Sequence, residues 1–278
     1  MQVLTHTIQA PADHTGTVYS ASLSVYVWDN SVELYDGRLR PLVLVCPGGG
    51  YRLTSDREAD TIASQFFAMG FHAAVLRYSV APARYPTALA QLALSMRLIR
   101  EHGAQWYVDT DNIAVLGCSA GGHLAACLAC FWNEPELHTL TGAQPAQIRP
   151  NAQILCYPVI TSGEYRHEGS FANLLGETDS PELRAKLSLE RQVTADTPPA
   201  FIWNSYTDEC VPAQNSLLYV QALCAHNIST EYHLFSIGAH GIGTATPVSM
   251  CKEGRGVQKE CALWLPMAYN WLNHVWRV

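Results

Sequence analysis

The stretch Ile113-Ala114-Val115-Leu116-Gly117-Cys118-Ser119-Ala120-Gly121-Gly122-His123-Leu124-Ala125-Ala126 decides how the rest of the chain is read. It opens as an apolar run rich in branched residues, the pattern of a strand buried on both faces of a parallel sheet. It breaks at Gly117 and resumes after Ser119 as a small-residue, Leu-containing helix. The centre, Gly117-Cys118-Ser119-Ala120-Gly121, fits G-x-S-x-G, in which a serine sits on a sharp strand-to-helix turn. That turn strains the serine backbone and lifts its hydroxyl clear of the sheet. Glycines two residues to either side let strand and helix pass without a Cβ clash. The first amides of the helix are free to donate to a developing oxyanion. A Gly-Ser-Gly cluster alone also describes an ordinary turn, so the strand before it and the helix after it carry the reading.

A chain of 278 residues suits one large α/β domain, here expected to span 1–278, with a substantial core. The composition, 48% apolar, 15% charged and 10% aromatic, is globular. A net charge of -7 without a dense block of either sign argues against a nucleic-acid partner. No apolar run reaches the length of a membrane span. The first residues, Met1-Gln2-Val3-Leu4-Thr5-His6, carry no basic or continuous apolar region, so no signal peptide is expected. Nine cysteines, several in apolar strand or helix contexts, predict free buried thiols in a reducing cytoplasm. Cys127 and Cys130 form a C-x-x-C, but within the helix after Ser119 they read as core residues, and no second pair completes a metal site.

Alternating residues at 3–9 and 22–28 predict antiparallel edge strands joined by a turn over 11–16. A buried strand over 41–46 runs into Pro47-Gly48-Gly49-Gly50-Tyr51. Three glycines after a strand allow the backbone to approach a substrate, with the amides of Gly49 and Gly50 as oxyanion donors. A phosphate-binding loop would need a Gly-Lys-Ser/Thr ending, which is absent. A helix is predicted over 57–69 and a strand over 71–78, whose C-terminal end carries Arg77 and Tyr78. That end, with Tyr51, is where substrate-binding groups are expected in an open α/β sheet, although Arg77 also suits a structural ion pair. Further predictions are a helix from Pro86 to about 102, a turn over 109–112, a loop over 133–149 and a strand over 151–157. Residues 161–197 break the rhythm and read as a small cap or lid insertion with a short helix near 181–187. Strands over 199–204 and 230–235 follow, with helices at about 212–226 and 257–275.

This alternation predicts a three-layer αβα sandwich with a mostly parallel twisted sheet. Ser119, Asp208 and His240 then all follow strands at one sheet edge, in the order nucleophile, acid, base. His240 would take the serine proton and return it to the leaving group, and Asp208 would hold the imidazole. The amide of Ala120 joins those of Gly49 and Gly50 around the oxyanion. Among eleven histidines, His240 is singled out by a glycine-rich loop after the last strand. Glu209 competes with Asp208, Asp196 lies at the wrong end of its strand, and Cys118 is off the central position of the motif.

Taken together, Pro47 to Tyr51, the Gly117 to Ala125 stretch, Asp208 to Pro212 and Gly238-Ala239-His240-Gly241 resemble the α/β-hydrolase esterases. The resemblance is nearest to the bacterial acetyl-xylan esterase-like and feruloyl esterase-like branch, near the hormone-sensitive-lipase relatives, and runs from about residue 20 to 275. Pro47 departs from the histidine of the lipase HGGG motif. The resemblance implies hydrolysis of small carboxylic esters, of short acyl chains and including acetylated carbohydrates, with no metal or organic cofactor. A peptidase of the same fold would share the triad, but no site for a peptide terminus is identifiable. A non-catalytic binding protein would commonly lack a triad member, and all three are present. A homodimer suits a cytosolic protein of this size.

Overall fold

The computed structural model describes every residue except His14 and Val278. The turn expected over 11–16 therefore includes one residue, His14, outside the described residues. Among the described residues the strands are β1 (Gln2–Gln9), β2 (Ser20–Val27), β3 (Arg40–Cys46), β4 (His72–Arg77), β5 (Val108–Cys118), β6 (Ala152–Cys156), β7 (Ala200–Ser205) and β8 (Thr230–Phe235). They form one sheet in the order β1-β2-β4-β3-β5-β6-β7-β8. The first two strands run antiparallel and the other six are mutually parallel. This is the α/β-hydrolase arrangement, helices flanking both faces. Of the two strands expected at the edge, β1 lies there, whereas β2 lies inside, hydrogen-bonded to β4.

Strand composition explains the two cores. Successive side chains point to opposite faces. Leu42, Leu44 and Cys46 therefore join the core beneath the helices Thr87–Glu101 and Ala120–Phe131. Val43 and Val45 join the other, beneath Asp60–Ala68 and Trp264–Trp276. There Trp203 stacks on Trp264, 5.5 Å between ring centroids and 22° between planes. Two such rings bury large apolar areas and fix the last helix against the sheet.

Register brings the strand ends level. Cys46 pairs with Gly117, Cys118 with Cys156, Cys156 with Trp203 and Ser205 with Phe235. The loops that open at Pro47, Ser119, Tyr157, Tyr206 and Ser236 consequently share one edge, where open α/β sheets bind ligands.

Several expectations are corrected. Residues 109–112 are not a turn but part of β5, which starts at Val108 and carries a register irregularity against β3 between Arg40 and Leu42. The loop expected over 133–149 holds two short helices, Pro135–Thr141 and Pro145–Ile148. Each opens on a proline in its first turn, a start signal that the polar composition obscured. Residues 161–197 hold Glu168–Leu175 as well as Pro181–Lys186. The first was missed because it is capped by His167, whose ring accepts from the Ser170 amide, rather than by Ser, Thr, Asp or Asn.

Candidate active site

Ser119 stands between β5 and the helix Ala120–Phe131 at φ 54°, ψ -120°. A non-glycine residue there costs on the order of 1–3 kcal/mol, so its surroundings must hold it. They do so through the backbone. The Ser119 amide donates to the Cys156 carbonyl at 3.0 Å, and its own carbonyl accepts from His123 and Val159, both at 3.1 Å. A Cβ on Gly117 would lie 2.1 Å from the Gly121 carbonyl oxygen, and one on Gly121 would lie 2.1 Å from that of Cys46. The two glycines let three backbones meet around the serine.

His240 Nε2 lies 2.8 Å from Ser119 Oγ, and His240 Nδ1 lies 2.6 Å from Asp208 Oδ2. The Asp208 carboxylate is fully buried, and its other oxygen accepts from the amides of Cys210 and Val211, each at 2.9 Å. Because a carboxylate accepts, Nδ1 carries the ring proton, leaving Nε2 free to accept from the serine. Glu209, the rival to Asp208, is exposed, and Asp196 bonds Asn133 away from this edge. Cys118 is buried within the sheet, and burial pushes its thiol well above its ordinary range, so it is no nucleophile.

The amide of Ala120 is the first of its helix and has no carbonyl one turn earlier to bond. Gly49 and Gly50, at φ 130° and 63°, line the same cleft, and their amides donate to no group among the described residues. The Gly48 amide is already taken, donating to Glu58 Oε2 at 3.0 Å.

Sequence reasoning missed Glu58. The residue is 3% exposed, and its carboxylate also accepts from Tyr157 Oη at 2.7 Å, while Tyr157 Oη accepts from the Gly243 amide at 3.0 Å. Burial holds the Tyr157 phenol protonated, well above its usual range, so it remains a donor. The Tyr157 ring meets His240 edge-on, 5.0 Å between centroids. Arg57 adds to this brace by donating to the carbonyls of Gly241 and Ser249. The glycine loop and the His240 loop are thus tied to one buried carboxylate. The only signal in sequence was an acid in an otherwise ordinary helix start.

The three residues expected to bind substrate are not among those that line this cleft, and each is engaged elsewhere. Tyr51 is buried, with its hydroxyl bonded to His123 Nδ1 at 2.9 Å. Tyr78 is buried and donates to the Pro47 carbonyl at 2.7 Å. Arg77 pairs with Asp56 at 2.8 Å and Asp60 at 3.1 Å. All three brace the glycine loop from outside or beneath. Burial keeps His123 neutral, with a pKa lowered to about 4, and its Nε2 bonds the Leu187 carbonyl at 2.9 Å.

The cleft above Ser119 encloses about 500 Å³. Arg52, Leu53, Ser55, His167, Asn173 and Cys210 form its sides, with Ser119 and His240 in its floor. Among the described residues no cluster of His, Cys, Asp and Glu could hold a metal, and no helix is long and apolar enough to cross a membrane.

Against known proteins, the sequence profile of the BD-FAE family matches residues 33–223. Endo-1,4-beta-xylanase B of Butyrivibrio fibrisolvens is 34% identical over 74% of this chain and 33% of its own length. The chain spans about a third to a half of the length of the first curated relatives it matches. The solved carboxylesterase Cest-2923 from Lactobacillus plantarum superposes with a TM-score of 0.82 at 32% identity, covering 99% of this chain and 98% of that one. An acetyl ester-xyloside bifunctional hydrolase from Caldicellulosiruptor lactoaceticus gives 0.80 at 31% identity, covering 97% and 96%.

Proposed function

The chain belongs to the BD-FAE family, within the α/β-hydrolase esterases of the acetyl-xylan esterase type, and from that premise we propose that it is a serine carboxylesterase acting on short acyl esters, acetylated carbohydrates among them. The observation that carries this reading is the unbroken chain Ser119 Oγ, His240, Asp208, at 2.8 Å and 2.6 Å, whose serine and histidine line an open cleft. Names of relatives support the substrate class: one is an acetylxylan esterase from Xylanibacter ruminicola, another the bifunctional hydrolase above.

The proposed reaction runs through these groups. Ser119 Oγ attacks the ester carbonyl carbon while its proton passes to His240 Nε2. Asp208 stabilises the imidazolium so formed. Negative charge developing on the carbonyl oxygen meets the amides of Ala120, Gly49 and Gly50, each such donor being worth about 3 kcal/mol of barrier. Collapse expels the alcohol with the proton from His240. Water, deprotonated by the same ring, then releases the acid and restores Ser119. A short acyl group and its alcohol would both fit within the cleft of about 500 Å³. Residues 161–197 act as a small cap on this single domain.

The test is hydrolysis of 4-nitrophenyl esters from acetate to dodecanoate by the wild type and by Ser119→Ala. Acetate should be the better substrate by at least about tenfold, and the substitution should remove at least about 10³-fold of the rate. Undiminished turnover in the variant, with its circular dichroism intact, would exclude Ser119 as nucleophile. Equal rates on acetate and dodecanoate would exclude the short-acyl preference.

A further inference from the structure

We propose that His167 reads the alcohol portion of the substrate, its Nε2–H donating a hydrogen bond to a hydroxyl or ring oxygen of a sugar whose acetyl group lies at Ser119. The inference rests on the esterase reading above and adds to it a residue and a recognition mode.

The tautomer is forced. The Ser170 amide donates to His167 Nδ1 at 3.2 Å, and Ser170 Oγ lies 2.8 Å from the same nitrogen. A backbone amide can only donate, so Nδ1 is an acceptor and the ring proton sits on Nε2. Burial and the neighbouring His240 lower the pKa of this ring, while Asp208 opposes them, so the neutral form is kept at neutral pH. Nε2–H bonds no group among the described residues, and the half-buried ring forms part of the cleft wall. It stands against the glycine loop, since a Cβ on Gly50 would lie 3.9 Å from His167 Cε1. The ring that carries this donor therefore stands in the wall of the cleft beside the glycine loop.

The donor is also held rigidly, which recognition requires. His167 caps the helix Glu168–Leu175. Asn173 of that helix donates to the Gly50 carbonyl at 2.8 Å, and Arg84 donates to the Asn173 carbonyl at 2.7 Å. The Tyr85 amide donates to the Leu174 carbonyl at 2.9 Å, and Phe171 is buried. The residue is thus carried on an anchored helix and not on a free loop. A donor without a partner among the described residues favours an oxygen-rich alcohol over an apolar one, which would leave it unpaired.

The experiment compares kcat/KM for 4-nitrophenyl acetate with that for a monoacetylated methyl xyloside, in wild type, His167→Phe and His167→Gln. Losing one neutral hydrogen bond should lower the xyloside-to-phenyl ratio about 3- to 10-fold in His167→Phe, mainly through KM for the xyloside. Glutamine keeps an N–H donor and should recover part of the ratio. A ratio within twofold of wild type in His167→Phe, a parallel fall on both esters, or no recovery with glutamine would each overturn the proposal. A wild type active on 4-nitrophenyl acetate but inert on the xyloside would overturn it while leaving the esterase reading intact. A wild type inert on both would refute that reading and the proposal with it.

Discussion

Replacing Glu58 separates positioning from chemistry. Its carboxylate accepts from the Gly48 amide at 3.0 Å and from Tyr157 Oη at 2.7 Å, with no exposure to speak of. In Glu58→Ala both donors lose their acceptor inside the protein, at about 1–3 kcal/mol each, so a loss of about 2–6 kcal/mol is expected. The glycine loop would also lose its anchor beside Gly49 and Gly50. A shift of about 1 Å in oxyanion donors lowers kcat on the order of 10²-fold. Glu58→Gln behaves differently. The Gly48 amide cannot turn, so the glutamine oxygen must face it, leaving the NH₂ toward Tyr157 Oη. One hydrogen bond is kept in neutral form, and the phenol loses the acceptor for its proton. The expected loss is about 2 kcal/mol, with kcat reduced about tenfold or less. Urea unfolding followed by circular dichroism measures the first quantity, and saturation kinetics on 4-nitrophenyl acetate the second. Equal impairment in both variants would mean that the charge of Glu58 acts on the reaction directly, and wild-type behaviour in Glu58→Ala would refute the brace altogether.

Two further outcomes follow from the packing. Gly121→Ala places a methyl group 2.1 Å from the Cys46 carbonyl oxygen and 2.4 Å from that of Pro47, both backbone atoms that cannot yield. It should cost about 3 kcal/mol or more, read as a lowered urea midpoint or insoluble protein, and an unchanged midpoint would refute the close approach. His123 and His72, each with a pKa lowered to about 4 by burial, bind fewer protons folded than unfolded. Stability should therefore fall as pH drops from about 6.5 to about 4, by on the order of 3 kcal/mol for His123. His123→Gln should flatten that part of the profile, and an identical slope in the variant would count against a buried neutral ring.

The legible parts of this chain are those where local backbone geometry dictates residue type. Ser119 could be read because its conformation demands glycines at 117 and 121, one facing the other and the second against β3. His240 and Asp208 could be read because the parallel strands place their C-terminal ends level. Glu58, Tyr157 and His167 were illegible for the opposite reason. Glu58 and Tyr157 are bonded to partners far along the chain, and His167 only to Ser170 three residues on, so nothing in their own neighbourhoods announces the site. Tyr51, Arg77 and Tyr78 show the converse limit, because position at a strand end does not say whether a side chain lines the cleft or, like Arg77, enters the ion pair that its sequence also suited.

That division has a physical consequence. The strained serine at φ 54° is a local liability of about 1–3 kcal/mol, and the glycines of the neighbouring loop lose more conformational entropy on ordering than other residues would. They persist only because long-range polar contacts over-determine them: Glu58 to Gly48, Tyr157 to Gly243, Tyr78 to Pro47 and Asn173 to Gly50. Each contact joins a loop at the sheet edge to a different element, so loosening one should disturb the geometry around Ser119 before it unfolds the sheet. Substitutions in this outer ring are accordingly expected to lower kcat at temperatures where circular dichroism still reports a folded chain. Core substitutions such as Gly121→Ala should instead lose structure and activity together. Parallel melting and inactivation curves for Glu58→Gln would contradict this ordering, since they would mean that the brace and the sheet unfold as one unit.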